Sequence, residues 1–187
     1  MLFSARQIPN LLSLSRIPLA ALFLISFDAK NIQWFWTSLI FLVVALITDF
    51  LDGYIARNWQ LATRLGYFID GIGDKVVYVA ILLVIFRESE DHVLLPWLLI
   101  AREIILYAVR SIEGGSPLIL IKARPISLTY AFFVRLYFLA YFANVAFGLY
   151  GLEAVAPLRF YWVFGYLACL CGYIHIMLLV RLTTKPT

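Results

Sequence analysis

Five acidic residues fall inside long apolar stretches of this chain: Asp49, Asp52, Asp70, Asp74 and Glu103. Lipid makes such groups costly. An aspartate at the centre of a membrane helix costs about 2.5–3.5 kcal/mol, so four unpaired ones would cost roughly 10–14 kcal/mol. The spacing suggests what offsets this. Asp49 and Asp52 stand three residues apart and Asp70 and Asp74 four apart, so on helices each pair shares one face. A connection of only about seven residues makes the two segments antiparallel neighbours, and all four carboxylates can then converge on one site. Converging carboxylates repel one another unless cations sit among them. An oxygen-only ligand set without His or Cys favours the hard ions Mg2+, Mn2+ or Ca2+ over zinc. Small residues share these faces, Gly53 and Ala56 with the first pair and Gly66 and Gly73 with the second. Their missing side chains would let a bulky anion approach. Arg57 and Arg64 add positive charge suited to phosphate.

The elements that must position these groups follow from composition. Of 187 residues, 64% are hydrophobic, 17% aromatic and only 14% charged, more apolar surface than a soluble domain of this length can hide. Six runs are long enough to span the hydrocarbon, near 9–27, 34–57, 65–86, 93–112, 125–148 and 158–182. The expected fold class is all-α: an integral membrane bundle of six transmembrane helices in a single domain over 1–187. Residues 2–8 could add a short N-terminal interfacial helix. Arg16 and Pro18 interrupt the first apolar run and no small-residue cleavage site follows it, so it reads as a retained span and not a signal peptide. The breaker cluster Glu113-Gly-Gly-Ser-Pro117 should separate the fourth span from a short segment, Leu118–Arg124, that leads into the fifth.

With six spans, one side of the membrane carries Arg6, Arg57, Arg64, Arg110, Lys122, Arg124, Arg181 and Lys185, and the other only Lys30, Arg87 and Arg159. The positive-inside rule then puts both termini and the aspartate site on the cytoplasmic side. The net charge of +4 reads as topology and attraction to anionic headgroups, with no basic run of interleaved aromatics to suggest nucleic acid. Cys169 and Cys171, two apart on one helix, point in different directions and imply neither a disulfide nor a metal site.

The pattern Asp49-x2-Asp52-Gly53-x2-Ala56-Arg57-x8-Gly66-x3-Asp70-x3-Asp74 resembles, at all its specified positions, the signature of the CDP-alcohol phosphotransferase family. The chain length and six-span layout are similar as well. The resemblance implies that Asp49, Asp52 and Asp70, with Asp74, hold divalent metal, two Mg2+ or Mn2+ ions, around a CDP diphosphate. It implies that Asp74 is also the general base toward the acceptor hydroxyl, and that Gly53, Ala56, Arg57 and Gly66 line the CDP site with Asp49, Asp52 and Asp70. A homodimer is implied by the resemblance alone. No Ser, Cys or His stands at the motif's defined positions, so direct displacement is expected over a covalent intermediate.

Within the family the wording is most similar to phosphatidylglycerophosphate synthases, which use CDP-diacylglycerol and glycerol 3-phosphate. The matching stretches are Ile8-Pro9-Asn10-Leu11-Leu12-Ser13-x2-Arg16, Thr48-Asp49-x2-Asp52-Gly53, Asp74-Lys75 and Ala101-Arg102-Glu103-Ile104. The chain departs from their Asp-Pro-x-Ala-Asp-Lys with Asp70-Gly71-Ile72-Gly73-Asp74-Lys75, and from their Gly-Lys-x-Lys-Thr with Ile121-Lys122-Ala123-Arg124-Pro125. Phosphatidylglycerol, inositol phosphate and an amino alcohol therefore stay open as alternative acceptors. Lys122, Arg124 and the intramembrane cations Arg102 and Arg135 are the candidates for the acceptor's phosphate. Each could instead serve topology or a structural ion pair, such as Arg102 with Glu103. Asn10, Ser13 and Arg16 stay open between interfacial capping and nucleotide contacts. His175 reads as a packed or hydrogen-bonded histidine. The aromatics Tyr130, Phe132, Phe133, Tyr137, Phe138, Tyr141 and Phe142 are expected to face lipid or a partner subunit. The rival class is a cation- or proton-coupled transporter, which intramembrane carboxylates also mark.

Overall fold

The computed structural model describes residues 8–59, 64–88, 92–112, 117–152 and 160–183. Among these residues six helices run in order: α1 (Ile8–Ser26), α2 (Ile32–Asn58), α3 (Arg64–Glu88), α4 (Leu94–Ile112), α5 (Pro117–Leu149) and α6 (Tyr161–Thr183). No strand occurs among the described residues. Nearly all of the expected interfacial segment at 2–8 lies outside the described residues, as do Arg6, Arg159 and Lys185. The chain forms two compact units, Met1–Val84 and Ile85–Thr187.

Among the described residues four helices are long and apolar enough to cross a bilayer, over Pro9–Ser26, Ile32–Ile55, Arg124–Leu149 and Tyr161–Leu182. The protein is therefore an integral multi-pass membrane protein. The six expected spans exceed these four because α3 and α4 carry more charge along their length: Asp70, Asp74 and Lys75 in one, Arg102, Glu103 and Arg110 in the other.

In the first unit α1 and α2 pack along a seam of alternating three- and four-residue steps, the period of left-handed helix packing. On α1 the buried positions are Pro9, Ser13, Arg16, Ala20 and Phe23; on α2 they are Phe35, Ser38, Leu42, Ala45 and Asp52. Asn31 caps α2, its Oδ1 accepting from the amides of Gln33 (3.0 Å) and Trp34 (3.3 Å). Phe27 stacks edge-on against both Phe23 and Phe35 at 5.9 Å and pins the turn. The hairpin is thus antiparallel, and residues midway along α1 face the far end of α2. Hydroxyls within the helices bond back to their own carbonyls, Ser38 to Phe35 (2.7 Å) and Thr48 to Ala45 (2.8 Å), so they leave no unpaired donor in lipid.

The second unit repeats this packing. Leu95, Leu99, Arg102 and Leu106 on α4 and Gly165, Ala168, Gly172, His175 and Leu179 on α6 are buried at three- and four-residue steps. The two helices run parallel, since Leu95 meets Gly165 and Arg102 meets His175. A methyl group on Gly165 would run into Leu95 and Tyr137, so glycine there sets how closely the helices approach.

Two expectations about α5 are corrected. Leu118–Arg124 is not a separate segment: one helix of 33 residues runs from Pro117 through Pro125 to Leu149. Pro117 opens it, where a missing N–H costs nothing, and the Thr129 hydroxyl donates to the Pro125 carbonyl at 3.0 Å. The aromatics also do not all face outward. Tyr130, Tyr137 and Tyr141 are buried with Val134 on one stripe, and Tyr137 and Tyr141 meet Tyr161 on α6 at 6.1 and 5.4 Å between ring centroids. Phe132 is exposed. The helical period separates these positions, and only the first set lies over α6.

Candidate active site

The acidic site lies within the first unit. Asp49 and Asp52 extend the α2 seam past Ala45, and Asp70 stands three residues before the buried Gly73 on α3. All four carboxylates meet one guanidinium. Arg16 Nη1 ion-pairs with Asp49 Oδ1 at 2.8 Å and donates to Asp74 Oδ1 at 2.5 Å; Nη2 donates to Asp70 Oδ1 at 2.8 Å and to Asp52 Oδ2. Ser13, one helical turn earlier on the same face of α1, brings its Oγ within 2.5 Å of Asp52 Oδ2 and 3.1 Å of the Pro9 carbonyl.

The four acids differ in access. The side chain of Asp52 is 4% exposed, held between Ser13 and Arg16, whereas Asp49, Asp70 and Asp74 are 45%, 44% and 58% exposed. These three each offer an oxygen within 4.8 Å of the others. One ion at a metal–oxygen distance of about 2.1–2.4 Å can bridge oxygens up to roughly 4.2–4.8 Å apart, so this donor set fits a hard divalent cation. One guanidinium charge does not by itself balance four carboxylates.

Of the small residues, Gly73 has a definite steric role. A methyl group there would come within 3.1 Å of the Ser13 carbonyl oxygen and 3.3 Å of Arg16 Nη1. What approaches this glycine is thus α1 and its arginine. Gly53 lies on α2 and Gly66 on α3. Ala56 and Arg57 lie on α2 and Lys122 on α5, with side chains outside the described structure.

Arg102 belongs to the second unit. It is 2% exposed, donates from Nη1 to Glu103 Oε1 and from Nη2 to His175 Nδ1 at 3.0 Å, and lies 3.6 Å over the Tyr130 ring. Arginine can only donate, so His175 Nδ1 accepts and the ring proton sits on Nε2. The Tyr130 hydroxyl donates to Glu103 Oε1 at 3.1 Å. Arg102 therefore makes the Glu103 pair foreseen as its structural alternative, and His175 is the hydrogen-bonded core histidine expected. Arg124 and Arg135 are exposed on α5.

The residues that motif reading underweighted are Ser13 and Arg16. The signal was available: a lone arginine in the middle of an apolar span needs an acid, and Pro9, Ser13, Arg16, Ala20 and Phe23 mark one stripe at seam spacing.

Helices of this kind, closing on a carboxylate cluster fit for a hard cation, define a membrane protein with a polar site among its helices. Residues 6–174 match the CDP-alcohol phosphatidyltransferase family, and the chain belongs to that family. It is similar to proteins named CDP-diacylglycerol–glycerol-3-phosphate 3-phosphatidyltransferase. The relative from Haemophilus influenzae is 40% identical over 107 residues, 56% of this chain and 57% of that protein. The relative from Escherichia coli K12 is 43% identical over 108 residues, 56% of this chain and 58% of that protein. The chain thus spans little more than half the length of these curated relatives. No solved structure matches it.

Proposed function

We propose that the protein transfers a phosphatidyl group from CDP-diacylglycerol to an alcohol, glycerol 3-phosphate before other acceptors, and releases CMP. The observation that carries this reading is the meeting of Asp49, Asp52, Asp70 and Asp74 at one point, three of them close enough to share a hard cation. Family membership and the names of the two relatives support the donor and the acceptor.

Bound Mg2+ or Mn2+, two ions in this reading, would neutralise the diphosphate and the leaving phosphate. Asp49, Asp52 and Asp70 would hold these ions, with Asp74 as a shared ligand. Gly53, Ala56, Arg57 and Gly66 flank the CDP. Asp74 has the most exposed carboxylate of the four, which suits a general base that must reach a hydroxyl arriving from outside. It takes the hydroxyl proton; the oxygen attacks the phosphorus attached to diacylglycerol, and the bond from that phosphorus to the CMP oxygen breaks. Lys122, Arg124 and Arg135 are assigned to the acceptor's phosphate; Arg102, buried and committed to Glu103 and His175, is withdrawn from that role. The distribution of Lys and Arg supports all six helices spanning, with both termini and the site cytoplasmic. The family match runs across both compact units, which supports one functional domain, and a homodimer is the expected assembly.

The test is CMP release by purified protein with CDP-diacylglycerol and Mg2+ or Mn2+, offering glycerol 3-phosphate, inositol phosphate, serine or phosphatidylglycerol. Release dependent on glycerol 3-phosphate is expected. Release with another acceptor would move the substrate and keep the chemistry. Ion flux across sealed vesicles with no CMP formed under any condition would refute the enzyme reading in favour of transport.

A further inference from the structure

We propose that Arg16 is a built-in counter-ion of the aspartate cluster, and that its guanidinium and the divalent cation compete for the same carboxylates. The inference rests on the metal-dependent reading above.

The bonding is unusually divided. A guanidinium has four hydrogens on its two terminal nitrogens, and here those nitrogens serve four separate acids from two helices, two acids each. Arg16 is 1% exposed and its Nε is buried without a partner. A charge so removed from water persists only with close opposite charges. The acids need it equally, because without a cation the carboxylates of α2 and α3 would repel across the site.

Asp49, Asp70 and Asp74 are both the acids able to share a metal ion and three of the four that Arg16 engages. An incoming dication therefore meets a positive group already among its ligands and must displace it or share with it at a cost in affinity. Gly73 lets the arginine enter this far, since a methyl group would stand 3.3 Å from Nη1 and 3.4 Å from Cδ. Arg16 acts through the cluster and is a positioning residue in this proposal.

The experiment uses the full chain in detergent without substrate. Mn2+ binding is followed by the paramagnetic resonance of free Mn2+, and thermal melting is recorded in EDTA and in saturating Mn2+, for wild type, Arg16→Met and Arg16→Lys. Lysine keeps a positive charge, but one ammonium cannot span four carboxylates as a planar fork does. Both variants are expected to bind Mn2+ at least about tenfold more tightly than wild type, roughly 1.4 kcal/mol, and to gain more melting temperature from Mn2+. A methionine variant that folds only with Mn2+ would support the proposal; if it folds under neither condition, the lysine variant decides. Equal or weaker Mn2+ affinity in a folded variant would overturn the competition while leaving the metal site standing. No Mn2+ binding by any of the three chains would overturn both.

Discussion

Replacing Asp74 by Asn separates chemistry from architecture at this site. The Asp74 carboxylate accepts one bond from Arg16 Nη1 at 2.5 Å and has an oxygen within 4.8 Å of those of Asp49 and Asp70. The substitution weakens that ion pair, but it also removes a negative charge from a crowded set. With the side chain 58% exposed, both effects are screened, and the net change in stability should stay within about 1 kcal/mol. For a chain of this size that is a shift of roughly 2–4 °C in melting temperature. Turnover should respond very differently. An amide cannot take the hydroxyl proton, and losing a general base costs about 10²- to 10⁴-fold, or roughly 3–5 kcal/mol of barrier. CMP release under saturating substrates, measured beside the melting curve of the same preparation, reads both numbers. Turnover within tenfold of wild type would refute the base assignment. A melting loss well beyond a few degrees would show that Asp74 holds the helices together and that its position says little about chemistry.

Asp70→Asn should also abolish CMP release with the protein still inserted and monodisperse on size-exclusion chromatography; near-normal turnover would remove it from the metal set. Chelation with EDTA should stop CMP release, and Mg2+ or Mn2+ should restore it where Zn2+ does not, because the donors at the site are carboxylate oxygens without His or Cys. Gly172→Ala should lower stability by about 1–3 kcal/mol, seen as a lower melting temperature, because its methyl group would stand 3.0 Å from the Tyr130 ring and 3.1 Å from Arg102 Nε. An unchanged melting temperature would mean that the α4, α5 and α6 packing gives way more easily than its burial suggests.

Composition and local spacing were enough to establish a helical protein dissolved in lipid and to place two pairs of aspartates on two helix faces. Both follow from physics that acts over one or two turns: apolar length measured against the bilayer, and the 3.6-residue period that brings positions three and four apart together. The partner of those aspartates was of another kind. Arg16 lies 33 residues before Asp49 and 58 before Asp74, and no local rule links it to them. The hairpin turn pinned by Phe27 and Asn31, and the α1–α2 seam it aligns, bring Arg16 opposite Asp49 and Asp52. The same holds for Arg102, whose neighbour Glu103 was visible but whose bond to His175 crosses to another helix. Tertiary packing also chose which tyrosines of α5 are buried, since amphipathicity is hard to see in a helix that is apolar all round. A buried charge is satisfied by whichever opposite charge the fold carries to it, so the residues present were written in the chain while their pairing was decided by how the helices meet.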